Sequence, residues 1–256
     1  MKLATWNVNS LRVRLPHVLD WLAKYQPDVL CLQETKLEDK NFPIDEIHAA
    51  GYLTSISGQK TYNGVAILSK EPGKNAVAAI PHFVDEQKRV LALTFGNLRV
   101  ICAYIPNGQE VGSEKYKYKL GWLQAFTDWI HDEMVAYPDL ALFGDFNVAP
   151  DDRDVYDPKA CDGQVLVSVA EREAFQKLIS LGLSDSFRLF KQPEKSFSWW
   201  DYRMQAFRRN MGLRIDHVLL SASLSKRCLS CFIDKETRKL DRPSDHAPVI
   251  VELANQ

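Results

Sequence analysis

Short apolar runs of strand length, separated by amphipathic stretches at helical spacing, recur along the whole chain, and this alternation restricts the fold to an α/β type. Residues 3–8 read as a first strand. Ser10 then stands where a helix N-cap would, and Leu15, Val18, Leu19 and Leu22 follow at i, i+3, i+4 and i+7, one apolar helical face that ends at Pro27. Residues 29–33 and 64–69 read as buried strands. Residues 90–95 and 98–104 flank Gly96-Asn97, a two-residue turn suited to a hairpin, so part of the sheet structure is antiparallel. A long helix is expected over residues 115–136, with Leu120, Leu123, Phe126, Ile130 and Met134 on one face, and a second over 171–181. Further strands are expected at 140–143, 197–202, 215–220 and 249–253. Many strands with few covering helices favour two packed sheets over a doubly wound parallel sheet. Neither a low-complexity linker nor a fixed-period repeat interrupts the 256 residues, so residues 1–256 are expected to form a single domain.

Composition excludes several classes. No stretch approaches the roughly 18 apolar residues of a membrane span, and Asn7, Asn9 and Arg12 break up any signal-peptide core, which points to a soluble, cytoplasmic protein. Five cysteines (Cys31, Cys102, Cys161, Cys228 and Cys231) are expected as reduced thiols. The lone C-x-x-C at 228–231 lacks the further ligands of a zinc site and reads as structural. With 32 basic against 33 acidic residues the net charge is −1, so any nucleic-acid binding must come from a local basic face.

Four apolar strands end in acids: at Glu34, at Gly144-Asp145-Phe146-Asn147, at Asp216-His217 and at Asp245-His246. Residues two apart on extended backbone face the same way. Asn7 with Asn9, Asp145 with Asn147, and Arg214 with Asp216 are therefore expected to share faces beside the apolar anchors Val8, Phe146 and Ile215. Any one of these acids alone reads equally well as a turn residue or a surface ion-pair partner. Together they suit one chemistry. Hard carboxylate oxygens hold Mg²⁺ or Mn²⁺, a carboxylate-oriented histidine moves a proton or binds phosphate oxygen, and asparagine donates to an anion without adding charge. That set describes metal-assisted phosphoester hydrolysis. No G-x-S-x-G elbow or P-loop competes with it.

These residues lie in motifs that resemble one family. Thr5-Trp6-Asn7-Val8-Asn9-Ser10-Leu11-Arg12, Leu32-Gln33-Glu34-Thr35-Lys36, Asn63-Gly64-Val65-Ala66, Tyr104-Ile105-Pro106-Asn107-Gly108, Gly144-Asp145-Phe146-Asn147, Arg214-Ile215-Asp216-His217 and Ser244-Asp245-His246-Ala247-Pro248 are similar, in order and across nearly the whole chain, to the successive motifs of the exodeoxyribonuclease III and abasic-site endonuclease family. The resemblance implies a four-layered α-β-β-α sandwich of two packed mixed sheets with helices outside. It implies a metal-dependent nuclease that repairs duplex DNA, cutting at abasic sites or clearing damaged, blocked or recessed 3′ ends, and working as a monomer. Glu34 would hold the metal, with Asn7 close by and Asp245 a further contact. Asp145 would position or deprotonate the attacking water, Asn147 would bind the scissile phosphate, and Tyr104 would hydrogen-bond it. His246, oriented by Asp216, would stabilise charge developing on the phosphate.

For the DNA itself, Asn9, Asn107, Lys115, Trp199, Trp200, Arg203, Arg209, Leu213 and Arg214 are the candidate contacts. The lysine run at 115–119 reads alternatively as the solvated first turn of the long helix. Leu213 stands where some relatives carry tryptophan, and the 166–170 segment lacks the phenylalanine many show, so the pocket for an abasic sugar departs from the family pattern and 3′-end trimming could dominate. Two other readings are a family member acting on a non-DNA phosphoester, and a DNA-binding homologue without catalysis.

Overall fold

A computed structural model of the chain describes residues 1–254, and the alternating runs resolve into two six-stranded sheets. The first is built from β1 (Lys2–Asn7), β2 (Val29–Gln33), β3 (Leu53–Ser57), β4 (Val65–Ser69), β11 (Cys228–Ile233) and β12 (Val249–Leu253), in the order β11-β12-β1-β2-β4-β3. The second is built from β5 (Lys74–Val77), β6 (Val90–Phe95), β7 (Leu98–Tyr104), β8 (Asp139–Asp145), β9 (Ser184–Asp185) and β10 (Asp216–Leu220), in the order β5-β6-β7-β8-β10-β9. Both sheets are mixed: β1 runs parallel to β2 and β7 parallel to β8, while every other pairing is antiparallel.

Both faces of each sheet are covered, which explains why the central strands read as continuous apolar runs. Alternate residues of β2 divide between two cores. Val29 and Cys31 pack toward Val100, Cys102, Phe143 and Val218 in the layer between the sheets. Leu30 and Leu32 point outward and pack with Val18, Trp21 and Leu22 of α1 (Leu11–Tyr25) and Ile47 of α2 (Ile44–Ala49). The outer face of the second sheet, with Ile101, Leu142 and Leu219, is covered by Trp122, Phe126 and Ile130 of α3 (Glu114–Ala136). Phe175 and Leu178 of α5 (Val169–Ile179) complete that cover. The architecture is the four-layered α-β-β-α sandwich. Two short helices, α4 (Pro158–Cys161) and α6 (Ala222–Ser225), lie in connections. No helix among the described residues is long and apolar enough to cross a membrane.

The departures from expectation have local causes. Ser10 occupies the N-cap position of α1, but at φ 90° its side chain makes no capping bond; the start of the helix is tied instead by Ser10 N–H to the Glu34 carbonyl and Leu11 N–H to the Thr35 carbonyl. Residues 197–202 form no strand. Only Trp199 bridges, to Leu213 and His246, because the segment crosses between the sheets and extends neither. The edge strands β3, β5, β9 and β11 leave no strand pattern in the sequence because an edge covered on one side carries little apolar periodicity, and β5 is almost wholly exposed. All five cysteines are unpaired thiols, and Cys228 and Cys231 both lie on edge strand β11.

Candidate active site

Register carries the polar strand ends to one rim. Asn7 lies opposite Gln33 across the β1/β2 pair, which places Glu34 just beyond. In the second sheet Tyr104 is opposite Asp145, and Asp145 opposite Asp216. The β7/β8 approach is close: a Cβ on Gly144 would lie 1.9 Å from the Ala103 carbonyl oxygen, so only glycine fits before Asp145. Past the rim the backbone turns through the left-handed region at Asn9 (φ 44°), Glu34 (φ 52°), Lys36 (φ 55°) and Asn147 (φ 49°). Such non-glycine conformations cost on the order of 1–3 kcal/mol each, and they gather here at the loops that carry the polar groups.

The centre of the site is a buried polar network. Asn7 Nδ2 donates to Glu34 Oε1 and Asp145 Oδ2, both at 2.9 Å, while its Oδ1 accepts the Asn9 N–H at 3.0 Å. Asn7 thus presents nitrogen to the acids and orients two carboxylates, one of them the expected metal ligand Glu34. One ligand atom each from Glu34, Asp145 and His246 lies within 4.8 Å of the others, a group able to hold a cation. Glu34 and Asp145 supply the hard oxygens a small divalent ion takes, in keeping with a metal-dependent family. Lys36 Nζ stands 2.9 Å from Glu34 Oε2 and 2.5 Å from Asn9 Oδ1, on the open side of the cluster. Asp245, the other expected metal contact, lies outside this group. Its Oδ1 accepts from Asn9 Nδ2 and its Oδ2 from Trp199 Nε1, each at 2.9 Å, so it organises the rim. Burial would raise the Asp245 carboxyl, but His246 with the Trp199 and Asn9 donors holds it below the usual range.

His246 is clamped from both sides. Its Nδ1 is 2.9 Å from Asp216 Oδ2, and its Nε2 is 3.7 Å from Asp145 Oδ2. Asp216 is itself held by the Ser198 hydroxyl at 2.7 Å. Burial alone would lower the imidazole pKa, but the Asp216 and Asp145 carboxylates outweigh it and push it up to about 10. Asp145 moves the other way from most acids: burial raises it to about 7, against the opposing pull of the His246 cation. The Tyr104 hydroxyl is held well above its ordinary value by burial, with Glu34 and Asp145 adding to it, so it stays protonated and can only donate to an anion. The Arg89 guanidinium stacks 4.8 Å from the Tyr104 ring centroid and donates to its carbonyl at 3.1 Å. Asn147 is fixed by Nδ2 bonds to the Ile105 carbonyl (3.0 Å) and Asp145 Oδ2 (3.3 Å), and its Oδ1 accepts from Asn107 Nδ2 (3.0 Å).

The expected DNA contacts divide. Asn107, Lys115, Arg203 and Arg209 are exposed, with Arg203 paired to Asp201 at 2.7 Å, while Asn9 and Trp199 are half-buried at the rim. Trp200 is fully buried against Phe197, Ala206 and Ala247, and no duplex can reach it. Arg214 is likewise buried, pinned between Asp154 and Asp185 and lying 3.0 Å from His217 Nδ1, so it faces away from Asp216 and is unavailable to phosphate. The pairing of Arg214 with Asp216 fails because β10 begins only at Asp216. Leu213 packs with Val155, Leu166 and Val167, an apolar wall next to half-buried Trp199. Within the lysine run, Lys115 and Lys117 are exposed and Lys119 is fully buried. Sequence reasoning missed Lys36, Arg89, Ser198 and Ser244, the last of which donates its hydroxyl to the Asn7 carbonyl at 2.7 Å, as parts of the site. Lys36 and Ser244 sit inside the Leu32–Lys36 and Ser244–Pro248 motifs, whereas Arg89 and Ser198 carry no local signal.

Two packed mixed sheets whose adjoining ends hold such carboxylate, amide and imidazole groups define a phosphoesterase of the sandwich class. The family model described as the endonuclease/exonuclease/phosphatase family matches residues 4–246. Exodeoxyribonuclease III of Haemophilus influenzae is 37% identical over 99% of this chain and 100% of its own, and an exodeoxyribonuclease of Bacillus subtilis is 35% identical over 97% and 98%. Among solved structures, the 3′ phosphatase NExo from Neisseria, bound to a product DNA hairpin, is 45% identical with a TM-score of 0.98, each chain fully covered. An AP endonuclease from Archaeoglobus fulgidus is 35% identical with a TM-score of 0.96, also over the full length of both. The chain belongs to the endonuclease/exonuclease/phosphatase family, in its exodeoxyribonuclease III branch, and is a nuclease.

Proposed function

We propose that the protein hydrolyses phosphodiester bonds in damaged duplex DNA with Mg²⁺ or Mn²⁺, clearing blocked or recessed 3′ ends in preference to incising abasic sites. The observation that carries the reading is the Asp216–His246–Asp145 line beside Glu34, which sets a cation between two carboxylates at the rim where the strand ends of the two sheets meet. Glu34 and Asp145 would hold the metal ion, which would supply Lewis-acid stabilisation of a phosphate oxygen. The protein's own groups do the rest. Asp145, raised to about 7 and anchored by Asn7, orients the attacking water and takes its proton. Protonated His246, fixed by Asp216, donates to a phosphate oxygen as charge grows there, with Tyr104 as a neutral donor, while Asn147, whose amide hydrogens go to the Ile105 carbonyl and Asp145, frames Asp145.

The 3′-end preference is supported by the wall at Leu213, Leu166 and Val167, which lacks the tryptophan and phenylalanine with which relatives of this family enclose an abasic sugar, and by a 45%-identical relative described as a 3′-5′ exonuclease of Neisseria meningitidis. The test measures initial rates on duplexes carrying an internal abasic site, a 3′-phosphate or an undamaged recessed 3′ end, with magnesium and with chelator. Fastest release at the 3′-phosphate is expected. Equal rates with chelator present would end the metal reading, and fastest cutting at the abasic site would reverse the preference. In parallel, Glu34→Gln should weaken Mg²⁺ binding at least about tenfold by calorimetry, since only one hard oxygen donor of the pair keeps its charge.

A further inference from the structure

Lys119 is the one member of the lysine run that the α3 periodicity turns inward, and it is fully buried. Its ammonium spends all three donors: on the Asn147 carbonyl at 2.6 Å, on the Asn107 carbonyl at 3.1 Å, and on the Glu171 carboxylate. Glu171 is equally buried and in turn accepts the Leu166 N–H at 3.0 Å, the Ser168 hydroxyl at 2.6 Å and the Ser168 N–H at 3.2 Å, the last closing the capping box of α5. The Tyr116 hydroxyl, one turn before Lys119, meets Ser168 Oγ at 2.6 Å. The lysine stem is also fitted from outside: a Cβ on Gly108, which sits at φ 93°, would lie 3.1 Å from Lys119 Cδ. Both carbonyls that Lys119 grips belong to asparagines on the active-site rim. Asn147 needs such a grip, since it sits at φ 49° and both its backbone N–H (2.9 Å) and its side chain (3.3 Å) hold the two oxygens of Asp145.

We propose that Lys119 is a positioning residue for hydrolysis: its buried ammonium, neutralised by Glu171, locks the Asn107 and Asn147 loops together and thereby aims Asp145. The inference rests on the catalytic reading given above for Asp145. An apolar side chain at 119 would fill the same space and leave both carbonyls without their donor. The left-handed turn at Asn147 would then relax, and Asp145 would lose the frame that orients it. Misplacement of a catalytic group by about 1 Å can cost on the order of 100-fold in rate.

The experiment compares wild type, Lys119→Met, and the double variant Lys119→Met/Glu171→Gln. The single variant leaves a buried carboxylate without its partner and is expected to lose thermal stability; the double variant removes both charges and is expected to melt near wild type. On 3′-phosphate duplex the double variant should show kcat lower by about 30- to 100-fold, with KM and chelator-phase DNA affinity within about threefold of wild type. The side-chain amide NMR signals of Asn107 and Asn147 should broaden or split in it. A folded double variant with wild-type kcat and unchanged amide signals overturns the inference while leaving the nuclease reading intact. A wild type that turns over no phosphoester overturns that reading, and the amide signals then still decide whether Lys119 holds the two asparagines.

Discussion

Replacing Asp216 by asparagine isolates the electrostatic device at the heart of the site. The amide keeps the size of the carboxylate and can still meet the Ser198 hydroxyl, but it removes the negative charge 2.9 Å from His246 Nδ1. In the intact protein His246 stands at about 10, well above its ordinary value, because the Asp216 and Asp145 carboxylates override a burial that acts against the cation. A charge pair at about 4 Å in a medium of effective dielectric near 20 is worth about 4 kcal/mol, or about three units of pKa. His246 in Asp216→Asn should therefore titrate near 7, where it is half neutral, because the burial that opposes its charge is no longer outweighed.

A histidine whose folded pKa exceeds the unfolded one adds stability in full below about pH 6.5 and loses it as pH rises toward 10. Wild type should weaken across that window by up to about 5 kcal/mol, and Asp216→Asn should be nearly flat above pH 7.5. The assays are NMR titration of the imidazole carbon-bound protons, urea unfolding at pH 6.5 and 9, and turnover at pH 7.5, where a loss of at least about 100-fold is expected. An Asp216→Asn protein that keeps His246 protonated at pH 9 and turns over within threefold of wild type would refute the reasoning.

His217 is the opposite case, lowered to about 4 by burial first and by the Arg214 guanidinium second. The unfolded chain then takes the proton more readily, so stability is complete above about pH 6.5 and falls by about 3 kcal/mol as pH drops to 4; His217→Gln should remove that slope in urea unfolding, and an unchanged slope would assign the acid lability elsewhere. Gly144→Ala drives a methyl group into the Ala103 carbonyl oxygen and should cost about 3 kcal/mol or more by thermal unfolding. A Gly144→Ala protein as stable as wild type would show that the β7/β8 approach is looser than 1.9 Å allows.

The chain's own pattern determined the layers and the chemistry of the rim. Period-two and period-3.6 repeats of apolar residues specify strands and helices because each must hide one face, and acids at the ends of apolar strands have nowhere to lie except a sheet edge. Glu34, Asp145, Asp216 and His246 were legible for that reason, and so was α3 to within a residue of its start. What only the tertiary structure decided is direction and partnership. Whether Asn7 shows nitrogen or oxygen to the acids depends on Asn9 N–H closing behind it; whether Arg214 and Lys119 reach solvent depends on Asp154, Asp185 and Glu171, residues 29 to 60 positions away in the chain. A basic residue carries the same local signal on a DNA-binding face as in a buried ion pair. The difference lies in carboxylates that folding brings to it, and these leave no trace in its own neighbourhood of sequence.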